Sequence, residues 1–150
     1  MNKKGFTLIE LLVVIAIIGL LSTIAVVALN SARAKSRDAK RIGDIKQIQT
    51  ALELAFAETN AYPTATSTTL GTGNALVLCN NNGPVFQAND TGCSTVFMAN
   101  IPSNPPPNGA DYVYTGDGTT YSITFRLETK IGSLNAGPVV ATPNGMKNQQ

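Results

Sequence analysis

The stretch Phe6 to Leu29, FTLIELLVVIAIIGLLSTIAVVAL, constrains this chain more than any other: nineteen of its twenty-four residues are apolar, and its single charge is Glu10. A helix of that length spans ~36 Å at ~1.5 Å per residue, enough to cross a hydrocarbon core of roughly 30 Å. The segment is therefore expected to be a membrane helix. Only MNKKG stands ahead of it, too little for the charged region, apolar region and small-residue cleavage site of an ordinary secretory signal.

Glu10 is the anomaly. An ionised carboxylate near hydrocarbon costs a few kcal/mol and persists where a partner, water or a role offsets the cost. Two readings are open: a carboxylate at the interface, reaching headgroups or water, or a functional carboxylate whose partner is an amine created by cutting the chain after Gly5.

The run Lys3-Lys4-Gly5-Phe6-Thr7-Leu8-Ile9-Glu10 resembles the class III signal of type IV pilins and type II secretion pseudopilins. That signal is a short basic leader ending in Gly, then Phe, with Glu five residues into the mature chain. The resemblance covers roughly residues 1–63 and beyond Pro63 weakens to a general likeness. It implies that a prepilin peptidase at the cytoplasmic face cuts between Gly5 and Phe6 and methylates the new amino group of Phe6. It also implies that Glu10 pairs with the terminal amine of a neighbouring subunit during assembly. Gly19 is then a place where the helix loosens, since glycine costs ~1 kcal/mol relative to alanine in a helix and permits close helix approach in membranes. Many family members carry a proline eight residues later, where this chain has Val27, so the resemblance does not extend to extensive unwinding.

The formal charge of +2 conceals a strong asymmetry. Removing Lys3 and Lys4 with the leader leaves nine basic and nine acidic side chains. Arg33, Lys35, Arg37, Lys40 and Arg41 crowd just after the apolar run against Asp38 alone, whereas the chain from Ile42 onward is mildly acidic and carries no nucleic-acid footprint. Five basic residues after the span and two before it would, by charge alone, place the C-terminal part inside the cell. The leader and the two cysteines argue for the opposite orientation. Three accounts of the cluster stand: contact with anionic headgroups before assembly, contact with acidic patches on adjacent subunits, or a solvated helix face.

Past Ser36, Ile42, Ile45, Ile48, Leu52, Ala55 and Phe56 recur at spacings of three and four, the mark of an amphipathic helix with a packing face. Lys40, Arg41, Asp44, Lys46, Gln47 and Glu58 fall largely off that stripe. Neither Gly nor Pro interrupts residues 20–42, so one rod is expected to end near Thr59, ahead of Asn60 and Pro63.

From Tyr62 the composition turns to Thr, Ser, Gly, Asn and Pro. Thr64 to Asn74 reads as a crossing loop, open to O-glycosylation, and Asn89-Asp90-Thr91 matches a short N-glycosylation pattern. Asp111 to Thr115 and Tyr121 to Glu128 read as strands joined by a turn at Gly116-Asp117-Gly118, with a third strand through Val139-Val140-Ala141. Pro102 and Pro105-Pro106-Pro107 read as an extended lead-in. Tyr112, Tyr114 and Tyr121 are expected to pack. Cys79 and Cys93, the only cysteines, have one internal pairing. A structural disulfide is favoured over a metal pair, because the chain has no histidine and the spacing matches no zinc pattern.

The expected fold is therefore α+β, a long N-terminal helix packed on a small C-terminal antiparallel sheet. Its parts are a leader (1–5), a transmembrane and filament-core helix (6–29), an amphipathic helix (30–61) and a β-rich head (62–150). No His-based triad, phosphate loop or zinc signature is present, and Asp111 and Asp117 fall far short of the six to eight oxygens calcium prefers, so no cofactor, metal or enzymatic activity is expected. The expected function, implied by the resemblance, is a structural subunit of an extracellular type IV pilus-like helical filament. Its partners are copies of itself, the prepilin peptidase, the cytoplasmic membrane before assembly and a pilus assembly machinery. A pseudopilin of a type II secretion system is the alternative; a membrane-anchored binding module or an exported enzyme comes after it.

Overall fold

A computed structural model describes residues 5–107 and 110–149. It divides into two compact units, residues 1–34 and 35–150. One helix, α1 (Leu8–Thr59), contributes to both.

In the first unit α1 stands with its apolar side chains exposed, from Leu8 at 82% to Leu29 at 48%. No residue of its most apolar window, of mean hydropathy 3.0, is buried within the chain. The hydroxyls inside this segment are satisfied locally: Ser22 Oγ donates to the Ile18 carbonyl and Thr23 Oγ1 to the Leu20 carbonyl, each at 2.7 Å. Such back-bonding removes the cost of a free hydroxyl in an apolar surrounding.

In the second unit the expected stripe is the packing face: Ile45, Ile48, Ala51, Leu52 and Ala55 are buried, while Ile42 and Phe56 are half-buried against the core. Each fully buried aliphatic side chain contributes ~2 kcal/mol of apolar transfer. The helix stops where Asn60, in the left-handed region at φ 55°, donates its N–H to the Phe56 carbonyl at 2.7 Å. Asn tolerates that conformation at a helix C-terminus, and Pro63 forbids continuation.

Two antiparallel sheets complete the head. The larger is ordered β1 (Thr64–Thr69), β5 (Val113–Asp117), β6 (Tyr121–Leu127), β7 (Gly137–Thr142), β8 (Gly145–Asn148). The smaller is ordered β3 (Pro84–Gln87), β2 (Val77–Asn80), β4 (Thr95–Met98). The period of two in β6 decides its faces: Tyr121, Ile123, Phe125 and Leu127 are buried, while Arg126 is exposed. Tyr112, Tyr114, Val139 and Ala141 join the same core as the helix stripe. The α+β expectation is thus met by a long helix packed on antiparallel sheet.

Several local expectations are corrected. Thr64 to Thr69 forms the edge strand β1 rather than part of a loop, its β-branched threonines suiting a pleated surface. Gly116 and Asp117 lie inside β5, with Gly116 paired to Tyr121, so the hairpin turn is Gly118-Thr119-Thr120. Gly116 is required by closeness rather than by turning: a Cβ there would collide with Tyr114 Oη and the Pro63 carbonyl. The smaller sheet was not expected at all.

The four outer strand edges are each irregular or short. β1 shifts register between Ala65 and Thr68, with Ser67 at φ 56°. β3 begins on Pro84, and β4 is bulged, since Cys79 pairs with Val96 and Leu78 with Met98 while Phe97 is left over. β8 is four residues long and carries exposed Lys147.

Candidate assembly segment

The N-terminal segment is built around the first turn of α1. Gly5, Phe6 and Thr7 precede the helix, and Phe6 is 86% exposed; Met1 to Lys4, the rest of the expected leader, lie outside the described residues. Thr7 is the N-cap. Its Oγ1 accepts from the Glu10 N–H at 3.3 Å, its carbonyl accepts from the Leu11 N–H at 3.3 Å, and its own N–H donates to Glu10 Oε2 at 2.8 Å. Thr7 Oγ1 also donates to the same Oε2 at 2.7 Å. This reciprocal pattern is a capping box, in which a Thr and a Glu three residues later satisfy two otherwise orphaned amides. The Glu10 carboxylate is thereby held against the positive end of the helix. Its Oε1 carries no hydrogen bond among the described residues. Gly19 lies within regular helix, and a Cβ there would meet nothing within 4 Å.

The head contains two features that matter to the site's expectations. Cys79 and Cys93 are bonded, fourteen residues apart, and tie β2 to the segment before β4. Asp117 spends its Oδ1 on the N–H groups of Thr119 and Thr120 at 2.9 and 2.8 Å, and those bonds hold its carboxyl below the usual carboxylate range. Asp111 is exposed on its own, and no group of three metal-ligating side chains occurs among the described residues. Asn89 Oδ1 accepts from the Thr91 N–H at 3.0 Å in an exposed turn.

The basic cluster does not behave as one outward face. Arg37 grips Glu128 through two bonds, Nε to Oε1 at 2.8 Å and Nη2 to Oε2 at 2.6 Å. Arg41 is fully buried; its Nη1 lies 2.6 Å from Asp38 Oδ1 and 2.7 Å from Glu128 Oε1, and its Nε donates to Asn104 Oδ1 at 2.8 Å. Asp38, equally buried, accepts from the Glu128 and Thr129 N–H groups and from Thr129 Oγ1. Hydrogen bonding to Arg37, with Arg41 alongside, pulls the Glu128 carboxyl down to about 2. Asp44, also placed off the stripe by its charge, is 7% exposed and accepts from Tyr112 Oη at 3.1 Å; burial raises its carboxyl. Headgroups, neighbouring subunits and solvent are therefore excluded as the partners of Arg41, while Arg37 spends its charge on Glu128 and stays partly exposed. Arg33, Lys35 and Lys40 remain exposed.

Sequence reasoning missed this clamp. The Asp38-x-x-Arg41 pair, one helical turn apart, was the available signal; the partner that buries it, Glu128, is remote in sequence.

The family described as "Prokaryotic N-terminal methylation motif" matches residues 1–26. The chain is 29% identical over 144 residues to type II secretion system core protein G of Vibrio cholerae, covering 95% of this chain and 93% of that protein. It is 37% identical over 63 residues to core protein G of Aeromonas hydrophila, covering 42% and 44% respectively. It is 31% identical over 101 residues to a fimbrial protein of Pseudomonas aeruginosa, covering 64% and 66%. The last two matches thus span less than two thirds of those relatives' own length. No solved structure gives a significant match. With the methylation motif at its start and a long helix packed on antiparallel sheet behind it, the chain is similar to type IV pilins and type II secretion pseudopilins.

Proposed function

We propose that the chain is a structural subunit of an extracellular type IV pilus-like helical filament. In this reading a prepilin peptidase cuts between Gly5 and Phe6 and methylates Phe6. The precursor waits in the cytoplasmic membrane as a single span with its head outside, and an assembly machine then transfers Phe6 to Leu29 from lipid into the filament core. The observation that carries the reading is the apolar half of α1, whose most apolar window is wholly unburied among the described residues. Lipid satisfies such a surface first, and other copies satisfy it after extraction.

The capping box supports the assigned role of Glu10. It fixes the carboxylate through Oε2 and leaves Oε1 for a neighbour's methylated amine. The ion clamp supports the outward head: two of the five cations after the span are neutralised inside the head, so the cationic flank that argued for the opposite orientation falls to Arg33, Lys35 and Lys40.

A second reading, a pseudopilin of a type II secretion system, is favoured by the alignment to Vibrio cholerae core protein G along nearly the whole of both chains.

Intact-mass and N-terminal peptide mass spectrometry on the sheared surface fraction tests the proposal. A chain beginning at methylated Phe6 and recovered from filaments is expected, and a chain retaining Met1 and found only in membranes refutes it. Recovery of processed chain only from the cell envelope moves the assignment to the pseudopilin. Glu10→Ala is expected to insert and be processed yet assemble poorly; normal filaments from it would remove the role given to Glu10.

A further inference from the structure

An asparagine followed by glycine carries a reaction of its own. With no Cβ on the glycine to stand in the way, its amide nitrogen reaches the asparagine's side-chain carbonyl carbon and closes a five-membered imide. Asn82-Gly83 is such a step, and so is Asn144-Gly145. The first makes the turn between β2 and β3, and the second the turn between β7 and β8 of the other sheet.

At Asn82-Gly83 the attacking nitrogen is held. Asn82 is exposed and sits in the left-handed region at φ 56°. The Asn81 N–H closes the turn by donating to the Gly83 carbonyl at 2.9 Å. The Gly83 N–H donates to Asn80 Oδ1 at 3.0 Å. Asn80 is in turn fixed from two sides. Its Nδ2 donates to Glu58 Oε1 of α1 at 3.0 Å, and its carbonyl accepts from the Ser94 N–H at 2.8 Å and from Ser94 Oγ at 3.0 Å. For the imide to form, the Gly83 nitrogen must give up its proton and swing toward Asn82 Cγ. Both movements break its bond to Asn80.

We propose that Asn82 is a self-modification site, converted to aspartate and isoaspartate through its own backbone, with Asn80, anchored on Glu58, as the group that sets the rate. In the first step the Gly83 N–Cγ bond of Asn82 forms and the Cγ–Nδ2 bond breaks. The amide group leaves as ammonia, taking the proton that Gly83 loses. Water then opens the imide. Addition at Cγ gives aspartate, whereas addition at the main-chain carbonyl carbon gives isoaspartate, which carries the chain through the former side chain. Water is the only co-reactant. Either product places a carboxylic acid inside the loop closed by Cys79 and Cys93. Isoaspartate also adds a methylene to the main chain beside the Asn80–Pro84 and Cys79–Val85 pairs that set the register of β2 on β3. The site belongs to the head and does not depend on the filament reading.

The test is incubation of the full-length protein in detergent micelles at mildly alkaline pH, followed by acid-side digestion and peptide mass spectrometry. Isoaspartate is marked with an isoaspartyl-specific methyltransferase, and Asn144-Gly145 is the reference within the same molecule. Wild-type protein is expected to convert slowly at Asn82, and unfolding in urea to speed that conversion. Asn80→Ala in the folded protein is expected to convert at Asn82 roughly tenfold faster than wild type, the factor that one net hydrogen bond is worth. Its rate at Asn144 is expected to stay unchanged. Glu58→Ala, which frees Asn80 from the helix, should fall between the two at Asn82. Conversion at Asn82 as fast in folded wild-type protein as in urea would overturn the inference. So would a wild-type rate in Asn80→Ala, or an equal acceleration at Asn82 and Asn144, which would mean general loosening of the head.

Discussion

Removing Arg41 asks whether the ion clamp holds the head together. In Arg41→Ala the buried Asp38 loses its cation, and the ties to Asn104 and the Pro105 carbonyl go with it. Breaking a buried pair by deleting one partner costs ~3–5 kcal/mol, because the remaining charge stays desolvated. Two features pull this case to the low end. Asp38 keeps the donors of Glu128 and Thr129, and Glu128 keeps both bonds from Arg37. The expected loss is therefore ~3 kcal/mol, which at a urea dependence of roughly 1.5 kcal/mol per molar lowers the unfolding midpoint by about 2 M. The assay is urea unfolding of the full chain in detergent micelles, followed by the near-ultraviolet circular dichroism of its four tyrosines. The double replacement Asp38→Leu, Arg41→Met removes both charges and fills the space with apolar atoms, so it should recover most of the loss. A midpoint for Arg41→Ala within about 0.5 M of wild type, roughly 0.8 kcal/mol, would refute the reasoning.

Acid should weaken the same clamp. The Glu128 carboxyl is depressed in the folded head to about 2, so its contribution is complete above its unfolded value near 4.5 and is lost as pH falls toward about 2. That contribution is ~3 kcal/mol at face value and about half that after solvent screening, and Glu128→Gln should flatten the acid limb of a stability-against-pH curve. Replacing Cys79 and Cys93 by serine should cost ~3 kcal/mol for a loop of about fifteen residues, visible as a lower thermal midpoint that reducing agent does not lower further. Gly71→Ala should destabilise strongly, since its φ is +73° and a Cβ would sit 2.6 Å from the Pro102 carbonyl and the Ser103 amide. Gly73→Ala, at φ +55° with nothing within 4 Å, should cost only about 1 kcal/mol; equal losses at the two positions would contradict the clash.

The parts of this molecule legible in the sequence are the local ones. The motif from Gly5 to Glu10 lies within a few residues, and Thr7 and Glu10 find each other inside a single turn. The stripe from Ile45 to Ala55 and the alternation of β6 follow the periods of helix and strand, so they could be read before any partner was known. What escaped depends on distant partners. Arg41 and Asp44 read as solvent-facing because charge usually is; Glu128 and Tyr112 make their burial possible, and neither is near them in sequence. β1 escaped because threonine and serine serve turns as well as edge strands. The smaller sheet escaped because its strands are four residues long and none alternates through more than one cycle.

The irregular strand edges acquire a meaning beside the exposed apolar helix. A monomer whose head could pair with other heads as well as polymerise through its helix would cross-link growing chains, whereas one that associates through its helix alone grows in a single direction. The shifted register at Ser67, the proline opening β3, the extra Phe97 in β4 and the short lysine-bearing β8 each deny a second chain the regular ladder on which cross-β stacking grows. On the proposed filament reading, the head then adds no regular β-ladder contact between copies, and association falls to the helix. If copies associate as proposed, crowding them in a membrane or along a polymer multiplies helix contacts without offering the heads a regular strand edge to cross-link through.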